Sequence, residues 1–229
     1  MPLPQSPAQG TQSAAPLAPR PALIGQAHSP FLARLQPGAH LLEAGCGAGE
    51  DLHHFRELGF MVTAFDASLS QASAASRLCG QPVRVCRFEQ MHNVLPYDGI
   101  WASGSLPCLT EDELAPALMH LAGLLKPQGP LYCSFPHGEN DPGSPLPPSQ
   151  GDYPLLTRLD EARLQQLIAP LPFELHQSWC SDDAVHGRWL HVLLIRDPNP
   201  ATINQYRGRR SRQGARRDSA SRQQYLTLS

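Results

Sequence analysis

Residues 41–55 read LLEAGCGAGEDLHHF: an apolar run closed by an acid, three glycines at alternate positions, then an amphipathic stretch. The apolar run has strand length and the segment after it has helical spacing, so the glycines occupy a strand-to-helix turn. In an open α/β sheet such a turn, with the helix N-terminus behind it, presents backbone N–H groups at the carboxyl edge of the strands, where a side chain would fill ligand space. A dinucleotide fingerprint, G-x-G-x-x-G, would need glycines at 45, 47 and 50, and position 50 is Glu50. The spacing present is Glu43-x-Gly45-x-Gly47-x-Gly49.

Working outward, HLLEAG, FMVTAFD, PVRVCRF, YDGIWAS and PLYCSF are short apolar or β-branched runs of strand length. Helical segments lie between most of them, around 50–58, 69–79 and 111–125, the last opening with a capping threonine and acids in its first turn. Alternation of strand and helix predicts βαβ units and a mostly parallel sheet with helices on both faces. A Pro/Gly-rich stretch from Pro136 to Pro154 is too long for a simple connector and predicts a lid over the carboxyl edge. A helix at DEARLQQLI and strands near FELHQSW and WLHVLLI close the domain.

The ends differ from the middle. Residues 1–27 are rich in Pro, Ala and Gln, without a basic start or a continuous apolar segment, so they predict a disordered leader, neither a signal peptide nor a membrane span. Residues 199–229 hold seven arginines against Asp218, a net +6 within a chain of net −2, which leaves −8 on the part up to Pro198. That tail predicts a disordered appendage, with an RNA-binding arm as the functional alternative. Residues 28–198 are then one domain, whose acidic character argues against a nucleic-acid groove. The six cysteines show no C-x-x-C pair, so no disulfide framework and no metal site are expected, and the reading is of reduced thiols in a cytoplasmic protein.

The glycine turn resembles motif I of the class I S-adenosylmethionine-dependent methyltransferases, and further elements follow in order. Asp66 ends the second strand in VTAFDAS, FEQM brings Glu89 and Met91 after the third, and LLKPQG precedes the fifth. YDGIWAS, LYCSF, TRLDEARL and GRWL look like the small bacterial tellurite-resistance-type methyltransferases. The resemblance implies a single-domain Rossmann-like fold with a mostly parallel seven-stranded sheet, S-adenosyl-L-methionine as cofactor, and Asp66 on the ribose hydroxyls. It implies a cofactor site of Glu43, Gly45, Cys46, Gly47, Gly49, Asp66, Ala67, Glu89, Gln90, Met91 and Ser103. It also implies a monomeric enzyme acting on a small-molecule acceptor, with no membrane or nucleic-acid partner. A noncatalytic cofactor- or partner-binding protein and an RNA-modifying methyltransferase using the arginine tail remain as alternatives.

The acceptor side is read from position. SGSLPCL after the fourth strand offers Ser105 and Cys108, and the late segments offer His137, Tyr153 and Arg188. Pro107-Cys108 resembles the nucleophile of C5-cytosine methyltransferases, but a small acidic body lacks the basic groove such enzymes need. Neither N-P-P-Y nor D-P-P-Y occurs, which disfavours N6-adenine methylation. His137, His186 and His191 are the candidate bases, and no catalytic residue is assigned.

Overall fold

The computed structural model describes residues 23–139, 146, 152–183 and 187–198. Seven strands form one sheet in the order β3-β2-β1-β4-β5-β7-β6. They are β1 (His40–Ala44), β2 (Met61–Asp66), β3 (Arg84–Val85), β4 (Gly99–Ala102), β5 (Pro130–Pro136), β6 (Phe173–Asp183) and β7 (Gly187–Arg196). Strands β1 to β5 run parallel, and β7 pairs antiparallel with both β5 and β6. The helices are α1 (Leu23–Leu32), α2 (Glu50–Glu57), α3 (Leu69–Cys79), α4 (Glu111–Leu124) and α5 (Glu161–Ile168).

Strand periodicity sorts the apolar residues onto two faces. Leu41, Trp101 and Tyr132 pack with Phe31 of α1 and Phe55 of α2. Their neighbours in sequence, Leu42, Ile100, Leu131 and Cys133, pack with Leu114, Leu118 and Leu121 of α4 and Leu164 of α5. Two-sided cover explains why β1, β4 and β5 read as nearly continuous apolar runs. β3 is shorter than PVRVCRF suggests, two exposed residues at the sheet edge, because it has a neighbour on one side only. Helix α1 has no counterpart in the sequence reading, and it begins inside the segment assigned to the leader.

The order reverses between β1, which turns toward β2 and β3, and β4, which leads toward β5. This switch point sits at the carboxyl ends of β1 and β4, and the 45–49 turn emerges there. The tail, most of the leader and residues 140–145 and 147–151 of the expected lid lie outside the described residues. Among the described residues no helix is long and apolar enough to cross a membrane.

Candidate functional site

A cleft of about 370 Å³ opens at the switch point. Its floor is residues 45–48 of the glycine turn and the start of α2, and the ends of β2 and β4 form its sides. The segment after β3 and the 3-10 turn Leu106–Cys108 close it, together with Asp152, Tyr153 and Leu156.

The three glycines of the turn do three different things. A Cβ on Gly45 would sit 2.4 Å from the Cβ of Ser105, so this residue lets the turn after β1 approach the turn after β4. A Cβ on Gly49 would sit 2.8 Å from the Cβ of Ala75, so Gly49 packs α2 against α3 and does not line the cleft. Gly47 alone of the three has open space where its Cβ would be, and at φ +54° it holds a left-handed conformation. Glycine at 47 keeps the cleft open and at 49 keeps the helices together.

Asp66 is nearly buried, 9% exposed, and its carboxylate braces the turn. Oδ2 accepts from the Gly47 N–H at 2.9 Å, and Oδ1 from the Ser68 N–H at 2.8 Å. Each oxygen retains capacity for a further donor, and Asp66 lines the cleft. Ser105 Oγ donates to the Ala44 carbonyl at 2.5 Å, which ties the turn after β4 to the end of β1. Asp51, in the first turn of α2, is 3% exposed and accepts from Trp101 Nε1 at 2.7 Å, with His28 of α1 at 3.3 Å. Arg87 reaches into the cleft but pairs with Glu89 at 3.0 Å and Glu113 at 3.6 Å. Asp152 accepts from the hydroxyls of Ser68 and Ser70, and these bonds hold its carboxyl below the usual carboxylate range.

Of the residues expected on the cofactor side, Glu43, Gly45, Cys46, Gly47, Asp66, Ala67, Glu89 and Ser103 line the cleft. Gly49, Gln90 and Met91 do not. The Gln90 side chain accepts from the Arg87 N–H and caps a 3-10 turn, and Met91 is fully buried in the core. Phe88, between Arg87 and Glu89, faces the cleft instead. On the acceptor side Ser105, Cys108 and Tyr153 line the cleft, whereas His137 and Arg188 lie apart, beyond β5. Burial, and behind it the Asp66 charge, pushes the Cys108 thiol up to about 11, so it is a protonated thiol and no ready nucleophile. Burial raises the Cys46 thiol as well, followed by the charges of Glu43 and Asp66.

His191, on β7, is held between Tyr132 Oη at 2.7 Å and Ser181 Oγ at 2.6 Å and does not line the cleft, which removes it as a base. His186 lies outside the described residues, and no histidine among the described residues lines the cleft. The sequence reading passed over Asp51, Arg87, Phe88 and Asp152. Asp51 carried a signal, an acid in the first turn of the helix behind the glycines; Asp152 carried none.

Residues 42–131 match the family model of a methyltransferase domain. No curated protein sequence matches the chain. Among solved structures, Burkholderia thailandensis 1,6-didemethyltoxoflavin-N1-methyltransferase is similar, with 1,6-didemethyltoxoflavin and S-adenosylhomocysteine bound. It is 21% identical, with 77% of this chain and 79% of that chain covered and a TM-score of 0.64. Magnesium protoporphyrin IX methyltransferase of Synechocystis, with S-adenosylmethionine bound, is 17% identical over 76% of this chain and 78% of that chain, with a TM-score of 0.60. A TehB-like methyltransferase of Corynebacterium glutamicum is 17% identical over 75% and 88%, with a TM-score of 0.57. The fold is therefore the Rossmann-like class I methyltransferase fold, and the tellurite-resistance type is not set apart from its other members.

Proposed function

We infer that this chain is an S-adenosylmethionine-dependent methyltransferase whose acceptor is a small molecule without strong negative charge. The observation that carries the reading is Gly47, whose missing side chain leaves open a cleft at the β1/β4 switch point, braced by Asp66.

The residues present fit the cofactor. Asp66 has lone pairs left for a pair of hydroxyls, the edges of Phe88, Cys86 and Leu109 offer apolar cover for a base, and the acids of the turn suit a cation. When bound, the cofactor supplies an electrophilic methyl group on a positively charged sulfur. The chain's own task is to hold and align the acceptor and to exclude water, which for a good leaving group supplies most of the catalysis. Tyr153 and Leu156 give the acceptor an apolar and aromatic surround, and the Leu156 and Thr157 N–H groups fix that wall by donating to the Pro107 carbonyl at 2.7 and 3.1 Å.

Seven carboxylates line the cleft, on Glu43, Glu50, Asp51, Asp66, Glu89, Glu113 and Asp152. Arg87, the one arginine among the lining residues, is engaged by two of them. This field opposes phosphate-rich acceptors, which disfavours RNA, and favours neutral molecules or amines. Carboxylates are also the proton acceptors the cleft offers an amine or hydroxyl.

Calorimetry with S-adenosylmethionine on the full chain tests the first half of the reading, and one binding site is expected. Methyl transfer to a panel of amines, thiols, hydroxyls and metalloid oxyanions tests the second. Absence of cofactor binding overturns the whole reading. Tight binding with no transfer to any acceptor leaves the noncatalytic alternative standing. Transfer to RNA in preference to small molecules overturns the acceptor class.

A further inference from the structure

Nothing in the spacing of His137, Glu161 and Cys180 joins them in the sequence, yet the fold brings their donor atoms together away from the cleft. His137 follows the last residue of β5, Glu161 opens α5, and Cys180 sits on β6. His137 Nε2 lies 3.2 Å from Glu161 Oε2, Cys180 Sγ lies 3.8 Å from Glu161 Oε1, and one ligand atom from each residue falls within 4.8 Å of the other two. We propose that these three side chains form a Zn²⁺ site with a fourth position left to water.

The separations suit the metal. Tetrahedral zinc with nitrogen and oxygen ligands near 2.0–2.1 Å and sulfur near 2.3 Å places ligand atoms about 3.3–3.7 Å apart. His137 and Cys180 each already contact one oxygen of Glu161, and rotations of the His137 and Glu161 side chains would draw one ligand atom from each residue, now within 4.8 Å of one another, to that spacing. One imidazole, one thiolate and one carboxylate make a borderline-soft donor set, which selects zinc or cobalt over magnesium and calcium.

The backbones beneath the three residues are fixed, as a metal site requires. The His137 N–H donates to the Arg188 carbonyl at 2.8 Å, and His137 bridges to Leu159. Cys180 is paired with Leu190 in the β6/β7 ladder, and the Asp160 side chain caps α5 just before Glu161 by accepting from the Arg163 N–H at 2.7 Å. The charged neighbour is Arg188, whose guanidinium lies beside Cys180, Asp182 and Glu161. Binding releases the Cys180 thiol proton to solvent, after which the thiolate and the Glu161 carboxylate neutralise the ion, while Asp182 remains to partner Arg188. The ion would clamp the start of α5 to the end of β5 and to β6.

The full chain, stripped with chelator, should bind one equivalent of Zn²⁺ by calorimetry, release about one proton, and melt at a higher temperature with the ion present. Co²⁺ should give a thiolate-to-metal charge-transfer band. Cys180→Ser should abolish that band, His137→Ala and Glu161→Gln should weaken zinc binding by at least about tenfold, and Cys79→Ser should leave the band and the zinc affinity unchanged. Should Cys180→Ser fail to fold, alkylation of the wild-type protein decides, because Zn²⁺ must protect Cys180 selectively. A missing band, a band that survives Cys180→Ser in the folded protein, or alkylation of Cys180 indifferent to zinc overturns the site. These readouts do not involve methyl transfer, so they stand or fall apart from the proposed activity.

Discussion

Gly47 and Gly49 are equivalent letters in the motif but face different neighbours, and substitution should separate them. Gly47→Ala places a methyl group in the cleft, so cofactor affinity by calorimetry should fall at least tenfold, while stability drops only by the left-handed strain of about 1–2 kcal/mol. Gly49→Ala meets Ala75 in a packed helix interface and carries the same strain at φ +92°. Denaturant unfolding should therefore show a loss of about 2–4 kcal/mol, with affinity little changed in the protein that remains folded. Asp66 combines both effects. The sequence alone predicts a pure binding residue, but its carboxylate also accepts the Gly47 and Ser68 N–H groups. Asp66→Ala should thus destabilise the fold by on the order of 3 kcal/mol as well as weaken cofactor binding, since bonds to a charged group are worth about 1.5–3 kcal/mol each. An unchanged denaturation midpoint would mean that the brace contributes nothing.

Besides its backbone ladders, strand β7 is linked to both neighbours through one buried histidine. Tyr132 of β5 and Ser181 of β6 both bond His191, and burial pulls its pKa down to about 4. Between pH 6.5 and about 4 the unfolded chain takes up a proton at this position that the folded chain refuses. Stability should be flat in this respect above pH 6.5 and fall with pH through that window, by about 3 kcal/mol in total. Unfolding curves of wild type and His191→Gln should lose their difference in pH slope outside the window. Helix α1 is held by packing: Phe31 is fully buried, 5.2 Å from the Trp101 ring and 6.0 Å from that of Phe55. Phe31→Ala should cost about 3–5 kcal/mol in unfolding free energy, despite its place in an element that sequence periodicity did not mark.

Among the described residues the cleft gathers seven carboxylates, whose field reaches beyond any single contact. S-adenosylmethionine carries a positive sulfur that S-adenosylhomocysteine lacks, so the field of the lining carboxylates favours the reactant over the product. Affinity for the reactant should fall as salt is raised through a few hundred millimolar, and affinity for the product should fall less. Paired calorimetric titrations at two salt concentrations measure this. Equal salt slopes would show that the carboxylates are neutralised by neighbours.

The sequence by itself determined the local architecture. The helices expected at 50–58, 69–79 and 111–125 are found at Glu50–Glu57, Leu69–Cys79 and Glu111–Leu124, because caps and periodicity are short-range signals carried by adjacent residues. The glycine turn also declared a ligand-bearing sheet edge, since its chemistry lies within five consecutive residues. Only the tertiary structure decided which glycine faces the cleft, that Met91 belongs to the core while Phe88 turns outward, and that His137 and Arg188 sit away from the cleft. Those facts depend on which residues from distant segments meet: Ser105 against Gly45, Ala75 against Gly49, Cys180 and Glu161 against His137. Such meetings are fixed by strand order and helix packing, and no local spacing encodes them.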